Sequence, residues 1–403
     1  MARVSRFTLL WGAGLASALL FMLPANTGCQ FLLFPPNRGG VDGCQTLPQT
    51  IDSDMVLRAG CYVAEKNVVI TGGATLTIEP GVTIRFKKDS GMTVLRHGRL
   101  SAVGTAGSPI VFTGEQATSG FWNGLHFSDT NSSANKLEYV TIQYAGAYPF
   151  FGWEFARANL VLSGVGNSPT KISVKNCTLR DSAGFGFFIN PNVDLTSFAG
   201  NTVTANTTGA GYTYASVLGS LDNTSSYNGN AIDIVRASGN SVETDQIWPA
   251  INADYEFVTS TTVHAVLTIE PGARLVFGQE VGFTVLRGGV LSAIGTGAKP
   301  IVFTGKLTVP GYWNGLYFSS SESPLNRLEN VTLEYGGGYE FFGWDTARTN
   351  LVVKNSQLQV TSCKIQQSAG WGAWVGNDAA VNVDLETANT YAGNLAGNVY
   401  RQP

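Results

Sequence analysis

Short runs of alternating apolar and polar residues cover most of the chain from about residue 61 onwards. Examples are ATLTIEPGVTIRF, PIVFTG and LEYVTIQY. Such alternation places every second side chain on one face of a strand, against a core. The runs are rich in β-branched and aromatic residues and are separated by Gly, Asn and Pro, but not by two-residue Asn-Gly hairpin turns. The pattern therefore predicts an all-β protein in which successive coils stack in parallel.

A long internal repeat organises these runs. Residues Leu76 to Leu162 recur without a gap as Leu267 to Val353, with more than half of the positions identical. A repeat at a fixed offset is typical of stacked modules, whose common core grows along one axis. We therefore expect two duplicated modules, at residues 61–229 and 230–403.

The composition argues against a disordered or helical protein and against a nucleic-acid partner. Charged residues make up 13% of the chain and apolar residues 44%, and there are 48 glycines. This composition is too apolar for a disordered chain and too rich in turn-forming residues for a helical one. The net charge is −3, and no basic stripe follows the first residues. Nucleic acid is therefore not expected as a partner.

The repeated motifs resemble a known family. ATLTIEPGVTIRF, GRLSAVGTAGSPIVFTG, FWNGLHF and LEYVTIQYAG are similar to the parallel β-helix repeats of bacterial exported lipoproteins, over roughly residues 45–400. The resemblance implies a right-handed parallel β-helix, similar in shape to the pectate-lyase-like superfold, which hosts enzymes, adhesins and inert spacers alike. Asn side chains are expected to form hydrogen-bonded ladders at its turns, with Asn176, Asn201, Asn206 and Asn394 as candidates.

The N-terminus carries an export pattern. Arg3 and Arg6 precede an apolar stretch over residues 7–23, which is short for a membrane-spanning helix and ends at Pro24. Residues 1–28 are therefore predicted to be a signal peptide. The Thr-Gly-Cys ending resembles a lipobox and implies lipid attachment at Cys29, with localisation at the outer membrane or cell surface. Asn26 departs from that motif, so ordinary cleavage to a periplasmic or secreted protein is the alternative.

Four cysteines remain after Cys29. An exported chain retains disulfides, and Cys44 with Cys61 is the candidate pair, within a predicted tether and N-terminal cap over residues 29–60. Cys177 and Cys363 occupy corresponding places in the two modules and are expected to be buried thiols. The chain has no C-x-x-C pair, so no metal site and no cofactor are predicted.

Two longer segments suggest ligand binding. Residues 144–160 and 335–351 share the FFGW motif and combine aromatic side chains with an acid and an arginine. Exposed aromatic rings stack on sugars, while acids and arginines bind hydroxyl groups. The alternative is structural, with the rings filling a groove and the ion pair fixing the segment. The ligand-contact candidates are Tyr148, Phe150, Trp153, Glu154, Arg157, Tyr339, Phe341, Trp344, Asp345 and Arg348.

Catalytic residues are not assigned. Polysaccharide hydrolases and lyases need several acids at one bond, but the acids here are spread along the chain. His97 and His126 are replaced by Gly288 and Tyr317 in the second repeat, and neither has the sequence context of a catalytic triad. The sequence therefore predicts a cell-envelope scaffold or a module that binds glycans or cell surfaces. The alternative is a polysaccharide lyase or glycoside hydrolase with its site on the flank of the β-helix. The oligomeric state is not predicted.

Overall fold

The computed structural model describes residues 43–166, 168–343 and 347–403. Short strands dominate these ranges. The strands of the first half are β1 Gln45–Thr46, β2 Thr50–Ile51, β3 Met55–Leu57, β4 Gly60–Ala64, β5 Val68–Ile70, β6 Thr75–Ile78, β7 Val82–Phe86, β8 Met92–Val94, β9 Arg99–Val103, β10 Ile110–Gly114, β11 Leu125–Ser128, β12 Asn131–Glu138, β13 Val140–Gln143, β14 Ala158–Ser163, β15 Thr170–Lys175, β16 Thr178–Arg180, β17 Phe185–Ile189, β18 Val193–Ala199, β19 Thr202–Thr204 and β20 Gly209–Tyr214.

The second half continues in the same way. Its strands are β21 Ile234–Ser238, β22 Ser241–Val242, β23 Gln246–Trp248, β24 Asp254–Phe257, β25 Thr261–Val263, β26 Val266–Ile269, β27 Arg274–Phe277, β28 Gly282–Val285, β29 Val290–Ile294, β30 Ile301–Gly305, β31 Gly315–Ser319, β32 Arg327–Glu329, β33 Val331–Glu334, β34 Thr349–Lys354, β35 Gln357–Thr361, β36 Lys364–Gln366, β37 Trp371–Val375, β38 Ala380–Val381, β39 Thr390–Ala392 and β40 Gly397–Arg401. Short 3₁₀ helices interrupt the strands at η1 Phe150–Gly152, η2 Glu154–Ala156, η3 Ala215–Ser220 and η4 Phe341–Gly343.

The described strands form five sheets around one axis. The long sheet holds fourteen of them, in the order β2-β5-β8-β11-β14-β17-β20-β21-β24-β27-β30-β33-β36-β39. In the first half it is flanked by sheet N1 (β1-β4-β7-β10-β13-β16-β19) and sheet N2 (β3-β6-β9-β12-β15-β18). In the second half the flanks are sheet C1 (β22-β25-β28-β31-β34-β37-β40) and sheet C2 (β23-β26-β29-β32-β35-β38).

Each coil gives one strand to each of three sheets before the next coil begins. Neighbouring strands within a sheet run in parallel, for example β7 with β10 and β11 with β14. Because the crossovers are made by further strands rather than by helices, the chain winds into a three-sided prism. The predicted all-β parallel β-helix is confirmed.

The two modules are offset by one side of this prism. Strand β10 lies in sheet N1, whereas its repeat counterpart β30 lies in the long sheet. Likewise, β11 lies in the long sheet and its counterpart β31 lies in sheet C1. The offset arises around the irregular coil between β20 and β21, where η3 stands in place of a strand. Equivalent surfaces of the two modules therefore lie on different sheets.

The interior is filled by columns of like side chains. Leu76 lies opposite Leu100 in the next coil, and both are buried. Phe257, Phe277 and Phe303 form a nearly parallel stack with ring centroids 5.2 and 6.2 Å apart. This spacing follows from the separation of about 4.8 Å between parallel strands. Stacking of this kind explains why the same residue types recur at matching positions.

Buried asparagines satisfy backbone groups at the turns. Asn206 Oδ1 accepts the backbone N–H of Ser182 (3.0 Å) and the side-chain amide of Asn159 (3.3 Å). Its Nδ2 donates to the carbonyl of Leu179 (3.2 Å) and to Asn230 Oδ1 (2.9 Å). These bonds form a ladder through four successive coils. The ladder satisfies polar groups that would otherwise be costly to bury.

The other candidate asparagines behave in two ways. Asn201 and Asn394 each accept a backbone N–H from the preceding coil, 2.9 and 3.0 Å away. The prediction for Asn176 is wrong, because this residue is exposed in a left-handed turn with φ 51°. Asn tolerates that conformation better than most residues, which accounts for its presence there.

The N-terminal coil begins earlier than the predicted module boundary. Strands β1 to β3 occupy residues 45–57, within the predicted tether and cap, and pair with the coil that follows. Cys44 and Cys61 form a disulfide across a separation of 17 residues. The disulfide fastens the start of β1 to the neighbouring strand β4. The predicted signal peptide and Cys29 lie outside the described residues.

Cys177 and Cys363 are buried free thiols, as the sequence predicts. Burial raises the pKa of Cys177 to about 12 and that of Cys363 to about 11. Both therefore stay protonated near neutral pH and serve as small apolar groups. Across the described ranges, no helix is long and apolar enough to cross a bilayer.

Candidate functional site

An aromatic row lies on the outer face of the long sheet. Strand pairing places His126, Val161, Phe188 and Tyr212 side by side on β11, β14, β17 and β20. These side chains point away from the interior, yet all four are buried. Something outside the prism must therefore cover them.

The covering segment is residues 144–157, here called aromatic loop 1. Its Phe150 ring lies 4.8 Å from the His126 ring, and its Phe155 ring stacks on Tyr212 at 4.4 Å. Together with Ala156 and Ala158, these contacts make a second apolar cluster outside the prism. The side chains on the inner side of aromatic loop 1 therefore have the structural role that the sequence offers as the alternative to ligand binding.

Other rings of aromatic loop 1 face outwards. Tyr148 is 52% exposed, Phe151 45% and Trp153 42%. The Phe151 and Trp153 rings are 5.4 Å apart, and they pack on the Phe188 ring (6.2 Å) and the Phe155 ring (5.3 Å) respectively. Rigid, partly exposed rings of this kind offer apolar faces on which a sugar can stack.

An open groove adjoins these rings. It has a volume of about 430 Å³ and is bounded by Tyr148 and Phe150 on one side and by Asn67, Thr93 and Asn123 on the other. Ligand sites commonly have volumes in this range and combine aromatic walls with a few polar groups. The groove could therefore hold a small ligand or one unit of a polymer.

The predicted acid–arginine pair is present in aromatic loop 1. Arg157 Nε donates to Glu154 Oε2 at 2.6 Å, and Arg157 Nη1 donates to the carbonyl of Ala147 at 2.6 Å. Arg157 thus ties the two ends of the loop together. The Glu154 side chain is 77% exposed, so it retains acceptor capacity for a ligand.

The second module repeats the arrangement on sheet C1. Tyr317, Val352, Trp374 and Tyr400 form the corresponding outer row. Phe341 contacts Tyr317 with ring centroids 5.0 Å apart, and Tyr339 is 55% exposed. The candidates Trp344 and Asp345 lie outside the described residues.

Arg348 has a partner that the motif does not predict. The structure shows Arg348 bound to Glu340, while Asp345, with which the motif pairs it, lies outside the described residues. The counterpart of Glu340 in the first module is Pro149. The two loops therefore share the FFGW residues, but Glu340 has no acidic counterpart in the first module and Phe155 is matched by Thr346 in the second.

His126 is a buried base within the aromatic row. Its Nε2 shares a hydrogen bond of 2.9 Å with Ser163 Oγ. Burial lowers the pKa of His126 to about 4, against a smaller opposing effect of the Asp129 charge. His126 is therefore neutral at physiological pH and serves as part of the apolar cluster.

We expect His126 to make the stability of the first module depend on pH. In the unfolded chain His126 takes up a proton below about pH 6.5, which the folded chain resists until about pH 4. Stability is therefore lost as the pH falls through this window, by about 2–3 kcal/mol near pH 4.5. Substitution with the second module's residue, His126→Tyr, should remove this loss. Urea unfolding of both proteins at pH 7.5 and 4.5 measures it, and equal pH dependence would contradict it.

A charged network continues the outer row of the long sheet beyond Tyr212. Glu256 accepts hydrogen bonds from Arg236 (2.7 Å) and Lys306 (2.5 Å), and Arg274 pairs with Asp254 at 3.4 Å. Burial would raise the pKa of Glu256, but the hydrogen bonds from the two cations hold it below its ordinary value. Burial raises the pKa of Asp254. Glu256 is therefore ionised and binds Arg236 and Lys306, and it does not serve as a proton acceptor.

The sequence patterns did not reveal this network. Its members are spread over residues 236–306, and Arg236, Asp254 and Glu256 lie outside the repeat. One available signal was the alternation in DYEF, which places Asp254 and Glu256 on one face of β24. Within the described ranges, no group of three or more His, Cys, Asp or Glu residues is arranged to hold a metal ion.

The tryptophans of the repeated Trp-Asn-Gly motifs belong to the core. Trp122 and Trp313 are fully buried, and their indole nitrogens donate to the carbonyls of Gln143 and Glu334. They stack on Phe86 and Phe277 at 4.1 and 4.4 Å. These tryptophans are therefore structural.

Comparisons with known proteins agree with the fold. Residues 49–136, about a fifth of the chain, match a family model described as a pectate-lyase like beta helix domain. A stretch of 71 residues is 41% identical to Protein bark beetle of Drosophila melanogaster. That stretch is 17% of this chain and 2% of the fly protein. A β-helix domain of this type fits a surface-binding or carbohydrate-active role without specifying one.

Proposed function

We propose that the protein is an exported β-helix that binds glycans of the cell envelope through aromatic surfaces on the outside of its coils. The observation that carries the proposal is the set of exposed rings in aromatic loop 1, Tyr148, Phe151 and Trp153, of which Tyr148 lines an open groove. Aromatic rings fixed from beneath lose little conformational entropy when a sugar stacks on them. Glu154 supplies an exposed hydrogen-bond acceptor next to them.

Duplication supports binding over catalysis. Both modules carry an aromatic row under an FFGW loop, and a binding surface gains from being repeated. The two surfaces lie on different sheets, the long sheet and sheet C1, so each would contact a separate ligand segment. The lyase or hydrolase alternative has less support. The best-placed acids among the described residues, Asp254 and Glu256, are engaged by cations.

Glycan binding is tested by truncating one exposed ring. Trp153→Ala should weaken binding of the preferred glycan about fivefold, since a stacked aromatic contributes about 1 kcal/mol. Glycan-array screening followed by isothermal titration of the best ligand measures the change. Leu325→Ala removes an exposed apolar side chain elsewhere and should leave the affinity unchanged. The absence of any array signal, or equal affinity for Trp153→Ala and the unmodified protein, would refute the proposal.

Anchoring to a membrane is the second part of the proposal. Its support is the Thr-Gly-Cys ending of the apolar N-terminal stretch, where the cysteine would carry acyl chains. Several acyl chains hold a protein firmly to a bilayer. Cys29→Ser should move the protein from the membrane to the soluble fraction of expressing cells. A soluble unmodified protein, with an unacylated N-terminus by mass spectrometry, would instead favour ordinary signal cleavage.

A further inference from the structure

A basic pocket lies where the long sheet meets sheet N2. Three successive coils turn this corner, at residues 95–98, 129–130 and, in the described part of the third turn, 164–166 and 168–169. They enclose a cavity of about 260 Å³, here called the corner pocket. Its lining residues are Arg96, His97, Arg99, Asp129, Thr130, Asn131, Ser132 and Ser168.

Each arginine of the corner pocket donates a hydrogen bond to another coil. Arg96 Nη2 donates to Ser168 Oγ at 3.3 Å, two coils away, so its side chain extends along the corner. Arg99 Nη1 donates to the carbonyl of Gly73 at 2.6 Å. Each guanidinium has five N–H donors in a rigid plane, and each of these bonds uses one of them. The planar donor set of a guanidinium suits recognition of a carboxylate or sulfate.

The pocket retains positive charge despite its one acid. Asp129 Oδ1 accepts the backbone N–H of Val165 at 2.8 Å, and Oδ2 accepts the hydroxyl of Ser128 at 3.1 Å. The carboxylate is therefore occupied in shaping the corner. Two arginines against one carboxylate leave an excess of one positive charge, which a singly charged anion would balance.

The second module lacks this chemistry at the same corner. Arg96 is matched by Arg287, but Arg99 is matched by Val290 and Asn131 by Glu322. His97 adopts a left-handed conformation with φ 69°, and Gly288 has the same role with φ 83°. Glycine is the less strained residue there. The first module thus carries an imidazole at a position where backbone geometry alone favours glycine.

We infer that the corner pocket binds an anionic group, a carboxylate or a sulfate, of an acidic glycan. This inference rests on the proposed function and specifies the charge of its ligand. Asp129 lies just beyond the end of β11, three residues after His126. Three residues of extended chain span about 10 Å. His126 lies under aromatic loop 1. One saccharide chain could therefore stack on the aromatic rings while its acidic group enters the pocket.

Charge recognition is tested with matched oligosaccharides. The probes are tetragalacturonate, its fully methyl-esterified form, dextran sulfate and neutral dextran. We expect the acid to bind about fivefold or more tightly than its methyl ester, and Arg96→Gln to remove most of that difference. Arg287→Gln is the matched control in the second module and should change nothing. Dextran sulfate shows whether sulfate can replace carboxylate, and binding of either anion through Arg96 supports the inference.

His97→Gly separates binding from folding. Because glycine relieves the left-handed strain, the variant should melt no lower than the unmodified protein, yet bind tetragalacturonate more weakly. Titration of free galacturonate, followed by the imidazole resonances of His97, tests the pocket without the aromatic rings. If galacturonate shifts the His97 resonances but tetragalacturonate does not bind, only the proposed function is contradicted. If the acid and its methyl ester bind equally, and galacturonate does not shift the His97 resonances, the inference that the corner pocket binds an anion is overturned.

Discussion

Trp122→Ala is expected to lower the free energy of unfolding of the first module by about 3–5 kcal/mol. The indole is fully buried, stacks on Phe86 at 4.1 Å and donates to the carbonyl of Gln143 at 2.7 Å. Its removal leaves a large cavity between two coils and an unpaired carbonyl. Because a solenoid unfolds locally, the loss should appear as faster amide exchange in β7, β10 and β13, together with a lower urea midpoint.

The two modules and the loop supply matched controls for this prediction. Trp313 occupies the same position in the second module, so Trp313→Ala should destabilise β27, β30 and β33 to a similar extent. Trp153 is 42% exposed, and Trp153→Ala should cost about 1 kcal/mol or less. A Trp122→Ala protein with unchanged stability but lost glycan binding would show that this tryptophan contacts a ligand instead.

The repeat made the coils predictable because stacking imposes local rules. Alternating side chains in LTIEPG and PIVFTG define which residues face the interior, and like residues then meet in adjacent coils. The offset of the modules by one side of the prism did not follow from this rule. It depends on the irregular coil around η3, whose residues lie outside the repeat.

The candidate site was only partly predictable for a related reason. The aromatic residues of the FFGW loops are local in sequence, and their pattern indicated a ligand surface or a plug. In the structure Phe150 and Phe155 pack inwards against the outer row of the sheet, whereas Tyr148 and Trp153 are exposed. No local pattern separates the two groups, because the direction of each ring depends on the sheet beneath.

Features assembled across coils left little trace in the sequence. Arg96 and Ser168 in the corner pocket are 72 positions apart, and Glu256 and Lys306 in the charged network are 50 apart. A β-helix brings such residues together only once the number of residues in each coil is known. The coils of this chain differ in length, since loops such as residues 144–157 are inserted at single corners. Sequence spacing therefore could not identify these clusters.

Removing the disulfide is expected to unfold the first coil without unfolding the rest. Strands β1 to β3 have two or three residues each and, among the described residues, each pairs with one other strand, so few hydrogen bonds hold them. Closing a loop of this size contributes about 3 kcal/mol. Cys44→Ser combined with Cys61→Ser should therefore accelerate amide exchange in β1 to β4 about a hundredfold and leave β17 unchanged.

Reduction provides the control for the disulfide prediction. A reductant should reproduce the rapid exchange in the unmodified protein and have no effect on the double-serine variant, whose remaining described cysteines are buried thiols. Equal protection of β4 in all three samples would show that packing alone holds the first coil. Loss of that coil exposes the strand edge of β4 or β7, and unpaired edges promote aggregation. The disulfide thus protects one open end of the solenoid, and it would persist only in an oxidising compartment such as the one that export would provide.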